Sequence, residues 1–143
     1  MHSDKTLGQK LHMVSNLLDR RMNNIVCENG AEDITPMHGM ILGYLCRQDG
    51  REIYQKDVEA EFNIARSTVT STLKLMERKG YLLREGVAHD ARLKRIVPTP
   101  LGRESFERVF CSIRQTELLM RSAMSDGEFQ QLMRLLDKLL AVL

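Results

Sequence analysis

Apolar residues recur at three- and four-residue steps along Leu7, Leu11, Val14, Leu18, Met22 and Ile25. That period predicts an amphipathic helix over residues 5–27, stopped at Asn29-Gly30. Thr35-Pro36 opens a second helix, because a Thr N-cap followed by Pro at the first helical position satisfies the free amides and pre-sets φ. Met37, Met40, Ile41, Tyr44 and Leu45 form its apolar face, and Gln48-Asp49-Gly50 ends it. Residues 51–54 read as a very short strand. A third helix is expected from Gln55 to Phe62, with Val58 and Phe62 on one side. After a turn at Asn63-Ile64, a fourth helix runs to about Lys79, where Gly80 is placed to stop it.

The pattern then shortens to two strand-like runs, Tyr81 to Glu85 and Leu93 to Val97, around a linker from Gly86 to Arg92. This predicts a β-hairpin with a long exposed loop. Pro98 lacks an N–H for the ladder, so the second run is an edge strand or ends there. Thr99-Pro100 repeats the helix-start signal, and Leu101, Phe106, Val109, Phe110, Ile113 and Leu118 supply the stripe of a long helix ending near Met124. Ser125 with Glu128 three residues on is a capping box. It opens a last helix carrying Phe129, Leu132, Leu135, Leu136, Leu139 and Leu140.

This order predicts a mainly α fold with one small β-hairpin. Residues 35–98 have the element order of a winged helix-turn-helix. The helices of 1–34 and 99–143 carry apolar faces too large for that small domain to cover. They are expected to form a helical dimerisation region, since such faces must be buried against a partner.

The chain has 143 residues and a net charge of only +2. The charge is unevenly placed: residues 64–103 hold nine basic side chains against three acidic ones, a local +6. A basic block inside a near-neutral protein is the footprint of a polyanion site. Within it, Ile64, Val69, Leu73 and Met76 line one side of the fourth helix, and Ser67, Thr70, Ser71, Lys74 and Arg78 the other. Ser and Thr are poor helix formers for a merely solvated face. Short hydroxyls do permit close approach to base edges and phosphates in a major groove, and cations supply salt-sensitive phosphate affinity. Arg92, Lys94 and Arg95 at the hairpin tip and return strand suit an arm reaching a narrow minor groove. Asp90 is expected to pair with Arg92 and fix the loop.

Three stretches resemble the MarR (multiple antibiotic resistance regulator) family: Arg66-Ser-Thr-Val-Thr-Ser-Thr-Leu73, then Met76-Glu-Arg-Lys-Gly-Tyr81, then Asp90-Ala-Arg92-Leu-Lys94-Arg95-Ile-Val-Pro-Thr99-Pro-Leu-Gly102. The resemblance spans essentially the whole chain. Its most specific part is the Asp-x-Arg wing followed by Thr-x-x-Gly at the next helix start. It implies a homodimer made by the first and last helices, recognition helices in successive major grooves of a pseudo-palindromic operator, and wings in flanking minor grooves. By motif position, it implies DNA contacts from Arg66, Ser67, Thr68, Thr70, Ser71 and Lys74 in the helix, and from Arg92, Lys94 and Arg95 in the wing. Many relatives release DNA when a small lipophilic effector binds between the dimer part and the winged part, or when a cysteine is oxidised. Ala65 departs from the Ser or Thr N-cap common in the family, and Pro98 from its usual aliphatic residue.

Other functions fit less well. A protein-binding winged helix would present aromatic or apolar anchors on residues 66–78, and none is there. An RNA-binding module would need exposed aromatics for stacking, whereas the three Tyr and four Phe mostly fall on apolar stripes. No P-loop, GxSxG, GxGxxG or HExxH motif is present, so no enzyme activity and no cofactor are expected. His12, His38 and His89 have no metal-ligand spacing, so no metal is expected. Cys27, Cys46 and Cys111 are too few and wrongly spaced for a disulfide framework or zinc finger. Each reads first as a buried, inert thiol, with Cys27 at a helix end the redox candidate. The absence of a long apolar run and of a signal-peptide pattern at Met1 to Lys5 leads to the expectation of a cytoplasmic protein without membrane association.

Overall fold

The computed structural model describes residues 5–28, 34–48 and 50–143, with no side-chain description for residues 25–28. The Asn29-Gly30 stop, Asp49 and the side chains of Ile25 and Cys27 therefore lie outside the described residues. Among the described residues six helices and one hairpin follow in order: α1 Leu7–Glu28, α2 Pro36–Arg47, α3 Gln55–Phe62, α4 Arg66–Arg78, β1 Leu82–Val87, β2 Asp90–Pro98, α5 Pro100–Ser122 and α6 Asp126–Val142. The winged helix-turn-helix architecture is as expected. No described helix is long and apolar enough to cross a membrane.

Local side-chain chemistry sets the helix starts. Thr35 Oγ1 accepts the His38 N–H at 3.3 Å, while His38 Nδ1 accepts the Thr35 N–H at 3.4 Å. This reciprocal box uses an imidazole where Glu or Gln is usual. It requires Nδ1 to be unprotonated, and burial together with the nearby Lys79 charge lowers the His38 pKa. Thr99 Oγ1 accepts the Gly102 N–H at 3.0 Å, and Ser125 Oγ accepts the Glu128 N–H at 3.3 Å. Helix α4 ends as Gly80 turns to φ 81°, letting the Tyr81 N–H reach the Met76 carbonyl at 3.0 Å. Glycine carries no Cβ penalty in that left-handed conformation.

The core gathers Ile41, Leu42 and Leu45 of α2, Val58 of α3 and Val69, Leu73 and Met76 of α4. Leu82 and Ile96 of the hairpin and Phe106 and Val109 of α5 join them, together with Ile34, Tyr44, Ile53 and Tyr81. Helices α2 and α5 come so close that a Cβ on Gly39 would meet Val109 Cγ1 at 2.9 Å, and one on Gly43 would meet Phe106 Cε2 at 2.8 Å.

Four expectations change. Met40 is 45 % exposed and Leu42 fully buried, because α2 is enclosed on most sides and its periodicity does not single out one face. Residues 51–54 form no strand; a backbone bond from the Ile96 N–H to the Ile53 carbonyl at 2.7 Å ties them to β2. The long hairpin loop is replaced by longer strands around a tight turn at Ala88-His89. Gly86 faces Lys94 while Val87 already faces Asp90, so Ala91, Arg92 and Leu93 bulge from β2. Finally, Cys111 is exposed on the single chain and Cys46 half-buried.

The two ends of the chain leave much apolar surface uncovered. No residue of α6 is buried, and Leu132, Met133, Leu135 and Leu140 are exposed. So are Leu7, Leu11, Val14 and Leu17 of α1, and Leu118 and Leu119 of α5.

Candidate nucleic-acid interface

Helix α4 is held by its apolar side: Val69, Leu73 and Met76 are at most 1 % exposed. At about 100° per residue, Ser67, Ser71, Lys74 and Arg78 then fall within an arc of about 60° on the opposite side. All four are exposed, as are Arg66 and Thr68. The outward surface therefore consists of hydroxyls and cations without an aromatic residue. Ser71 Oγ donates to the Thr68 carbonyl at 3.0 Å, which orients the hydroxyl and leaves its lone pairs outward. Arg66 Nε lies 3.6 Å from Glu59 at the end of α3, with 81 % of the side chain exposed. Ala65 provides no side-chain cap, so the first turn of α4 keeps its amides for other partners.

Thr70 differs from its neighbours. It is half-buried, and its hydroxyl accepts from Gln55 Nε2 at 2.7 Å, while the same amide donates to Glu59 at 3.0 Å. This bond fixes α3 against α4.

The hairpin holds the remaining candidates in two distinct settings. Arg92 and Lys94 are exposed on β2. Arg95 is instead tied across the strands, its Nη2 and Nε 2.7 and 2.9 Å from one Glu85 oxygen and its Nη1 3.8 Å from Glu52. Glu52 also accepts from the Tyr54 hydroxyl at 2.6 Å, which raises the Tyr54 pKa. Asp90 acts on backbone rather than on the Arg92 guanidinium: its Oδ1 accepts the Arg92 N–H at 2.8 Å, closing a turn inside the bulge.

Arg92 and Lys94 share a cleft of about 280 Å³ with Lys56 at the start of α3 and Arg84 of β1. Sequence reasoning misses Lys56 and Arg84 as site residues. The one signal pointing to them is the basic count of the segment, which includes Arg84 but not Lys56. A second, more apolar groove of about 390 Å³ runs between α2 and α5, lined by Cys46, Arg47, Arg103, Phe106, Glu107 and Phe110. Among the described residues, no three His, Cys, Asp or Glu side chains cluster to hold a metal.

Residues 32–93 match the model of the MarR family. Among curated proteins none matches the chain by sequence. Several solved structures resemble it over nearly its full length. S. aureus MepR in its DNA complex is 28 % identical with a TM-score of 0.86, covering 98 % of this chain and 100 % of that one. The transcription regulator MarR from Oenococcus oeni PSU-1 is 27 % identical with a TM-score of 0.80, covering 95 % and 99 %. The heme sensor PefR from Streptococcus agalactiae, crystallised with heme, is 19 % identical with a TM-score of 0.66 over 94 % and 92 %, a likeness of fold alone.

Proposed function

On the premise that the chain belongs to the MarR family, a match carried by its winged-helix part at residues 32–93, we propose that it is a homodimeric, sequence-specific repressor of transcription that a small molecule releases from its operator. The observation that carries this reading is the outward surface of α4, all hydroxyls and cations, set on a rigid apolar base. Ser67, Thr68, Ser71 and Lys74 are the reading residues, and Thr70 has a hydroxyl hydrogen left to donate toward the groove. Arg66, Arg92 and Lys94 serve phosphates or the minor groove. Arg95 acts through the hairpin it braces, and Asp90 through the bulge it closes.

The division of labour follows the chain. Residues 35–98 bind DNA, while residues 1–34 and 99–143 pair two copies. The uncovered apolar side chains of α1, α5 and α6 support this pairing, since burying each would contribute about 1.5–3 kcal/mol. Two reading heads about one helical turn, roughly 10 bp, apart would then meet a pseudo-palindrome. The groove between α2 and α5 lies where an effector would wedge the helical part against the winged part. Its Phe106 and Phe110 rings and the Arg47 and Arg103 cations suit an aromatic or lipophilic anion. The activity is one of binding rather than catalysis, and the expected setting is the cytoplasm.

Selection of bound duplexes from a random pool, combined with sedimentation of the free protein, tests this reading. The expected result is a palindromic consensus bound by a dimer. A monomer at micromolar concentration, or no salt-sensitive preference for any duplex, overturns it.

A further inference from the structure

The cleft between the start of α3 and the hairpin brings together four cations that the chain carries far apart: Lys56, Arg84, Arg92 and Lys94. The rest of its lining is Tyr54, Gln55, Leu93 and Ile96, so among the described residues no carboxylate lines it. Arg84 is the unusual member. Its Nε and Nη2 are buried and make no hydrogen bond among the described residues, and its ion pair is a loose one, 3.6 Å from Nε to Glu77. A buried guanidinium donor without a hydrogen-bond partner is costly to leave unsatisfied. A small rotation of the side chain toward the cleft would let an entering oxyanion accept from it.

The position of the cleft indicates which anion. Gln55, which lines it, donates to Thr70 of α4 at 2.7 Å. The anion seat and the reading helix are therefore joined by one side chain. We propose that this cleft seats a backbone phosphodiester of the bound duplex, clamped between α3 and the wing by Arg84 and Lys56, with Arg92 and Lys94 closing the other wall. The proposal rests on the DNA-binding reading and extends it to two residues outside the helix and wing tip. The clamp fixes the duplex at a point that carries no sequence information, so α4 meets the groove in one register.

The experiment uses the full-length protein and the palindrome recovered by selection. Duplexes carrying a single neutral methylphosphonate are scanned along each strand, against wild type, Arg84→Gln and Lys56→Gln. Among the phosphates whose neutralisation weakens wild type, one per half-site is expected to lose its effect in both variants. Arg84→Gln should weaken selected and random duplexes alike by at least about 10-fold. The slope of log K against log salt should fall by about 0.9 for each phosphate that the variant no longer neutralises. Lys56 is exposed, so its variant keeps the test valid if Arg84→Gln unsettles the hairpin. The proposal is overturned if wild type binds the palindrome with a normal salt slope but no methylphosphonate effect disappears in either variant. It is equally overturned if inorganic phosphate alone, at matched ionic strength, stabilises wild type and not Arg84→Gln while that scan stays flat, which would mark a small-anion site. Failure of wild type to prefer any duplex would instead refute the DNA-binding reading itself.

Discussion

Replacing Gly102 by alanine probes the joint between the winged part and the long helix α5. A Cβ at this position would fall far inside contact distance of the Tyr81 carbonyl oxygen, 3.0 Å from the Tyr81 carbonyl carbon and 3.2 Å from Leu42 Cδ2. A flexible side chain could swing away, but this obstacle is backbone held from both sides. The Tyr81 N–H bonds Met76 O, and Tyr81 O accepts the Thr99 N–H, each at 3.0 Å. The start of α5 must therefore retreat. Overpacking of this kind costs about 1–3 kcal/mol, and a broken Thr99–Tyr81 bond adds about 1 kcal/mol. The better helix propensity of alanine returns up to about 1 kcal/mol. The net expectation is a destabilisation of about 1–3 kcal/mol, or a fall in Tm of about 2–12 °C for a chain of this size. Thermal unfolding followed by circular dichroism measures it, at one fixed protein concentration because association shifts Tm. Gly8→Ala is the matched control: nothing lies within 4 Å of a Cβ there, so its Tm should hold or rise. A Gly102→Ala protein that melts at or above wild type refutes the steric reasoning.

Further expectations follow from the site and its supports. Lys74→Ala should reduce preference for the selected palindrome over random duplex by about 1–3 kcal/mol in parallel anisotropy titrations; an equal loss on both would reassign Lys74 to phosphate. Asp90→Ala should loosen the bulge by removing the 2.8 Å bond to the Arg92 N–H. It should then speed amide exchange at residues 91–93 and weaken DNA binding, and unchanged exchange would show that the bond does not hold the wing. His38 has a lowered pKa in the folded protein, so the unfolded chain takes up this proton first as pH falls. Its contribution to stability is present above the ordinary histidine pKa and is lost as pH drops from there through the folded value. His38→Gln keeps an acceptor for the Thr35 N–H and should abolish this part of the pH dependence in urea titrations. A variant with the same pH profile as wild type would contradict the assignment.

How far the amino-acid sequence foretells this molecule depends on the range of the interaction. Thr35, Thr99 and Ser125 are readable as helix starts because each cap is made by a side chain bonding three residues ahead. The hydroxyl-and-cation surface of α4 is readable because the helix has a clean apolar side, and its helical period places the rest. What escapes depends on partners distant in the chain. Thr70 reads as an outward hydroxyl until Gln55, fifteen residues earlier, claims its oxygen. Arg95 reads as a free wing cation until strand register sets Glu85 opposite it. The bulge at residues 91–93 is a mismatch between two strands and has no local mark beyond Asp90. Lys56 lies outside the basic block altogether, and only folding brings it beside Arg84.

Thr99 has one more implication. Its N–H reaches Tyr81 O, its hydroxyl donates to Gly80 O, and the same hydroxyl oxygen accepts from Gly102, so one residue welds the end of α4, the root of the hairpin and the first turn of α5. A weld leaves no play. A torque applied anywhere along α5 would turn the hairpin with it, as a crank turns its handle. Over six strand residues at about 3.3 Å each, the handle is about 20 Å long, and a tilt of about 10° would sweep its tip by about 3.5 Å. That distance is about the length of one strand residue, so slight leverage at the far end of the molecule would suffice to displace the arm.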